Sequence, residues 1–290
     1  MERKRKKYEE LAITDDFMFG KVMRSPERCG RLLELILGVR IREVVFLDDQ
    51  ESMNPDYEAR GIRLDIYLED EGNSVYNVEM QAQNSGELPE RSRYYQAVID
   101  INMIEKGEKY NALKKSYVIF ICTFDPFGEG RHIYHFENLC RENPALRLGD
   151  GTEKVFLNTK GEMDGADEGL RNLLKYLESQ EPQDAYTREL EGAVEAAREH
   201  REWRREYMKM RVWEWDIRRE ERAEGREEGS LIQLADLVYR KVRKGKSLEE
   251  TAEELEEDPG SLKRVYDAVV KCLPDYDPEK ILEELGGGKQ

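Results

Sequence analysis

The sequence predicts an α/β fold: a mixed sheet core flanked by helices, followed by a charged all-helical C-terminal region. Three observations predict it. Two adjacent segments, 62–69 and 75–83, alternate apolar and polar residues with period 2. Residues 117–123 form an unbroken apolar run, the pattern of a strand buried on both faces. Beyond about residue 167 the strand signals give way to helical spacing. Composition agrees: 39% of the 290 residues are hydrophobic and 38% are charged. Globular chains average about 45–50% and about a quarter, so a packed core joined to a very polar remainder is expected.

The elements follow in order. Thr14 or Asp15 caps a short helix running to Met23. Pro26 opens a second helix to about Leu37, with Leu32, Leu33, Ile36 and Leu37 on its apolar face and Gly38 as its stop. Residues 39–47 are rich in β-branched side chains and read as a strand, and 48–60 as a loop. In 62–69, Ile62, Leu64, Ile66 and Leu68 alternate with Arg63, Asp65, Tyr67 and Glu69. In 75–83, Tyr76, Val78, Met80 and Ala82 alternate with Asn77, Glu79, Gln81 and Gln83. The turn-rich link 70–74 makes these two strands a hairpin. A helix is expected over 89–106, with Tyr94, Tyr95, Val98, Ile101, Met103 and Ile104 at its apolar positions. Strands follow at 117–123, 131–136 and 154–158.

Residues 167–228 read as helical throughout, with an imperfect apolar stripe through Leu190, Val194, Ala197, Trp203, Tyr207, Met210, Trp213 and Ile217. The heptad breaks around His200 and Trp215, which argues for a solvated helix packing one face rather than a coiled coil. Residues 231–270 form a small helical module. Ser247 and Glu250 make a capping box, and Asp258 before Pro259 is a second N-cap. Its second helix offers only Lys263, Arg264 and Lys271, which favours a docking hairpin over a DNA reader. The expected divisions are a core at 1–165, a charged helical segment at 166–229 and the module at 230–290.

The formal net charge is −16. Residues 1–150 carry 28 acidic and 22 basic side chains, and residues 151–290 carry 35 and 25. This balance argues against a general nucleic-acid coat or a membrane-surface protein, which rely on a basic face. No apolar run is long enough to cross a membrane, and no apolar region follows the basic residues 2–7, so a cytoplasmic protein is expected. Cys29, Cys122, Cys140 and Cys272 are scattered and expected to be reduced. His132, His135 and His200 form no metal or triad pattern.

The hairpin carries the chemistry. With a 70–74 link, residue 69 pairs with 75 and residue 65 with 79. Asp65 and Glu79 become cross-strand neighbours, with Cβ atoms about 4.5–5.5 Å apart. Carboxylates that close repel unless a cation lies between them. Hard oxygen donors suit Mg²⁺ or Mn²⁺, which take one or two carboxylates plus water and substrate phosphate. Gln81 shares the face and could orient a water or meet a phosphate. A solvated sheet face also carries acids and amides, but this one lacks Lys and Thr. The helix that follows opens with Arg91 and Arg93, placed to bind phosphate over a cleft.

Asp65 and Glu79-Met80-Gln81, set within 63–67 and 76–81, resemble the PD-(D/E)xK nuclease superfamily. More narrowly, they resemble its transposases, the recombination-promoting (Rpn-like) nuclease group. Residues 14–19, 91–96 and 117–127 resemble further segments of that family, and the likeness spans about 10–160. The resemblance implies a restriction-endonuclease-like core and Mg²⁺- or Mn²⁺-dependent phosphodiester hydrolysis of DNA. It implies that Asp65 and Glu79 bind metal and that Gln81 stands where the wider superfamily places Lys. Glu51 and Glu34 compete for the role of an additional acid. Arg63, Arg91, Arg93 and Tyr95 are candidate phosphate or DNA contacts. The alternative is a catalytically weak or inactive nuclease fold that binds protein or DNA in a mobile-element or phage-defence system. A homodimer through the helical C-terminal region is expected.

Overall fold

The computed structural model describes residues 6–47, 65–274 and 276–286. Arg63, Glu51, the loop expected at 48–60 and the first residues of the 62–69 strand lie outside the described residues. The chain divides into two compact units, Met1–Tyr207 and Met208–Gln290.

In the first unit, helices α1 (Asp16–Val22) and α2 (Pro26–Leu37) precede strand β1 (Val44–Phe46), and strands β2 (Ile66–Asp70) and β3 (Val75–Gln81) follow. Then come helix α3 (Leu88–Met103) and strands β4 (Ser116–Cys122), β5 (Ile133–Phe136) and β6 (Thr152–Asn158). Among the described residues these strands form one mixed sheet in the order β1-β2-β3-β4-β6-β5. β2 and β3 are the antiparallel hairpin, β3, β4 and β6 run parallel, and β5 returns antiparallel along β6. With its flanking helices this is a restriction-endonuclease-like α/β fold.

Local chemistry sets the boundaries. The Ser25 hydroxyl accepts from the Arg28 N–H at the start of α2, Pro26 fills its first turn, and Gly38 at φ 65° closes it. The strand expected over 39–47 shrinks to three residues. Its first half, Arg40 to Glu43, is polar apart from Ile41, whose N–H is taken by the Glu34 carboxylate at 3.2 Å. All seven residues of β4 are buried, as its apolar run requires of a central parallel strand. One sheet face, through Tyr67, Val118, Phe120 and Phe156, packs under Leu88, Tyr95, Val98 and Ile99 of α3. The alternate set, Leu68, Val78, Ile119, Ile121 and Leu157, is buried on the opposite face. At Gly161 a Cβ would sit 2.4 Å from the backbone of Arg131, so only glycine permits that chain crossing.

The helical stretch expected over 167–228 is three helices, and the last runs past its expected end. α4 (Glu168–Ser179) ends at Gln180 in the left-handed region (φ 61°), and Pro182 follows. Asp184 caps α5 (Ala185–Arg198), and only Glu199 and His200 separate it from α6 (Arg201–Val242). α4 and α5 belong to the first unit, where Leu173, Leu174, Leu190 and Val194 are fully buried. The Tyr8 hydroxyl there donates to the Ala197 carbonyl at 2.6 Å. The second unit packs Ala235 and Val238 of α6 with α7 (Leu248–Leu255), α8 (Pro259–Lys271) and α9 (Pro278–Gly286). Ser247 and Asp258 cap α7 and α8 as their spacing predicts. α9 lies beyond the helices that the sequence pattern predicts.

All four cysteines are free. Burial pushes the thiols of Cys29 and Cys122 up to about 12, which keeps both neutral.

Ile119 lies in the fully buried central strand. Ile119→Ala should cost about 2–5 kcal/mol of unfolding free energy in a urea titration. Val45→Ala, on an edge strand and 61% exposed, should change it by less than about 0.5 kcal/mol.

Candidate active site

The link between β2 and β3 is held by Asp70. Its carboxylate accepts from the Ser74 N–H at 2.9 Å and the Tyr76 hydroxyl at 2.7 Å. Asn73, at φ 56°, makes the turn. The register is thereby fixed, with Glu69 opposite Val75 and Ile66 opposite Val78. Continued one step, it sets Asp65 opposite Glu79. The two residues interlock: the Asp65 N–H donates to Glu79 Oε1 at 3.1 Å, and the Met80 N–H donates to Asp65 Oδ2 at 2.9 Å. Each carboxylate is therefore steered by the other strand's backbone.

Glu79 faces α3 and is only 3% exposed. Burial, and next the charge of Asp65, push its carboxyl well above the ordinary range. The Asp65 N–H, the Arg91 guanidinium and the Asn77 amide oppose that rise. Asn77, two residues earlier on the same face, is fully buried and makes no close hydrogen bond, and its amide acts on the Glu79 carboxyl.

Helix α3 supplies the other wall. Arg91 and Tyr95 are one turn apart and share a helix face. Arg91 Nη1 donates to Gln81 Oε1 at 2.8 Å, and Nη2 donates to the Tyr95 hydroxyl at 2.9 Å. Nη2 also lies 3.8 Å from Glu79 Oε2. The guanidinium sits over the rings of Tyr95 and Phe120, at 5.4 and 5.5 Å. Gln81 Nε2 donates to the Met80 carbonyl at 3.1 Å.

The structure thus brings together Asp65, Glu79, Gln81, Arg91 and Tyr95. Arg93 does not join them: it is exposed, on the side of α3 away from the sheet. Glu34 does not join them either. Its carboxylate is occupied by Arg31 and the Ile41 N–H at the end of α2. Glu51 and Arg63 lie outside the described residues. Sequence reasoning missed Phe120, the ring beneath Arg91, because an apolar run does not say which residue a helix will meet.

The chemistry of this donor set fits a hard divalent cation. The Asp65 and Glu79 carboxylates lie side by side, and burial of Glu79 disfavours its charged form unless a cation offsets it. Among the described residues no group of three His, Cys, Asp or Glu side chains converges. Mg²⁺ does not need one, since water and substrate phosphate complete its shell.

A family model of PD-(D/E)XK nuclease family transposases matches residues 16–219. The chain belongs to that family. The match takes in every sheet strand described above and the Asp65–Glu79–Arg91 cluster. No curated protein and no solved structure matches the chain. Membership of a nuclease family makes a phosphodiester hydrolase the relevant chemical class. Among the described residues no helix is long and apolar enough to cross a membrane.

The raised Glu79 carboxyl has a measurable consequence. The folded protein keeps this proton over a pH range in which the unfolded chain has lost it. Metal-free stability should therefore fall as pH rises from about 4.5 toward the raised value, by up to about 1.4 kcal/mol per pH unit. Glu79→Gln should lack this fall. Urea unfolding across about pH 5–8 with a chelator present checks it; parallel curves for the two proteins would refute it.

Proposed function

We propose that the chain is a metal-dependent DNA endonuclease of the transposase or recombination-promoting type. The observation that carries this reading is the interlocked Asp65–Glu79 pair, with the Arg91 guanidinium beside it on a family nuclease core. Asp65 and Glu79 would hold Mg²⁺ or Mn²⁺. When bound, that cation supplies Lewis acidity at the scissile phosphate. Asp65 is kept on the cleft floor by the Met80 N–H, and Glu79 by the Asp65 N–H. Arg91 and Tyr95 line the side on which a phosphate would enter.

The reaction consumes one water. Its oxygen bonds to phosphorus as the P–O bond to the leaving sugar oxygen breaks with its electron pair. One water proton passes to that sugar oxygen, and the other stays on the new phosphate monoester. No protein nucleophile is required. The setting we assign is cytoplasmic, with DNA as the partner.

Plasmid nicking in Mg²⁺ or Mn²⁺ tests the reading. Asp65→Ala should cut at least about 100-fold more slowly than wild type, the scale of losing one electrostatic transition-state contact. Equal cutting by both proteins, or none by either at high concentration, would overturn it.

We also assign a homodimer to the helical C-terminal region. Met208, Val212 and Trp213 lie on α6 and are 50–65% exposed. Sedimentation of the full-length protein should show a dimer that Val212→Glu/Trp213→Glu converts to a monomer. A wild-type monomer, or an unchanged dimer in the variant, would refute this.

A further inference from the structure

We propose that the positive charge the wider motif places on the strand resides here on helix α3, in Arg91, with Gln81 as its positioning residue. This deepens the nuclease reading and rests on it.

A neutral amide cannot supply charge to a phosphate, yet Gln81 occupies the motif's cationic position. The geometry shows what the amide does instead. Its oxygen receives Arg91 Nη1–H at 2.8 Å, and its nitrogen donates to the Met80 carbonyl at 3.1 Å. Each end of Gln81 is engaged, and its oxygen points a guanidinium at the carboxylate pair. That oxygen is the end a lysine would lack, since an ammonium has three donors and no acceptor. A lysine at residue 81 would meet Arg91 as a like charge.

Arg91 is built in rather than draped across the surface. Tyr95 holds Nη2, the Tyr95 and Phe120 rings lie beneath the guanidinium plane, and Glu79 Oε2 is 3.8 Å away. These contacts use one N–H on each terminal nitrogen, and guanidinium carries five. The side chain stays 29% exposed, so the group is oriented and still open on one edge. A planar fork fixed in this way suits the paired oxygens of a phosphodiester. Arg91 would therefore touch the substrate, and Gln81 would act through it.

A reciprocal exchange in the full-length protein tests this. Arg91→Gln and Gln81→Lys should each lower metal-dependent plasmid cutting by about 100-fold or more. The double variant Gln81→Lys/Arg91→Gln, which returns one cation to the strand, should recover to within about tenfold of wild type. Binding of a short duplex DNA in Ca²⁺, followed by fluorescence anisotropy, gives a second readout. Arg91→Gln should weaken it and flatten its salt dependence by about one unit of slope, and the double variant should restore both. Thermal melting of all four proteins separates loss of fold from loss of charge.

Full activity in Gln81→Lys alone would overturn the proposal, since Arg91 would then tolerate the lysine it is said to replace. So would a double variant that melts like wild type but is as inactive as either single variant. If wild type cuts no DNA, the nuclease reading fails, and anisotropy alone decides: unchanged binding in Arg91→Gln then overturns this proposal too.

Discussion

The site depends on one constraint: two carboxylates face each other across a hairpin that cannot slip. The turn at 70–74 is closed by Asp70, and a one-residue shift would send Glu79 to the opposite face of the sheet. Held in place, Glu79 is buried under α3 beside a second acid. Burial of a charge costs several kcal/mol unless partners offset it, and the partners here are an N–H and a guanidinium 3.8 Å away. Without a cation the carboxyl keeps its proton to higher pH; a bound cation would let it ionise.

Helix α3 has two tasks that its sequence divides along its length. Val98 and Ile99 close the core over Val118 and Phe120, while Arg91 and Tyr95 stay at the mouth. Tyr95 stacks on Phe120 and Phe120 on Phe156, with centroids 6.0 and 5.4 Å apart. The ring column gives the guanidinium a firm floor in a region where long cationic side chains otherwise sample many rotamers.

Much of this was legible in the sequence, for identifiable reasons. Period-2 alternation and a five-residue link set Asp65 opposite Glu79 because a hairpin's register follows from its apolar pattern and loop length. The capping residues Ser247 and Asp258 were legible because a cap is a local hydrogen bond. What escaped depends on contacts distant in sequence or on cooperative length. Glu34 looked like a free acid until Ile41 took its oxygen, and Arg93 looked equivalent to Arg91 until the helix turned it outward. The break at Gln180 did carry a local signal, Pro182 and the Asp184 cap, which the long helical spacing around it outweighed, and α6 outran its expected end because nothing before Lys244 and Gly245 stops it.

The acid balance of the chain bears on how such a site would meet a polyanion. A net charge of −16 repels DNA at long range, so attraction must come from the few angstroms around the cleft. There the arrangement is self-consistent. Without a metal, Arg91 faces Glu79 and partly neutralises it. With one, the carboxylates would be satisfied by the cation, and the open edge of the guanidinium, still held by Gln81 and Tyr95, would be left to a phosphate. One residue would thus balance the acids in the first state and supply charge in the second, which explains how a site so poor in cations could still engage DNA. Affinity would then follow metal occupancy rather than a standing basic surface, and the protein would spend little time on nucleic acid it is not poised to cut.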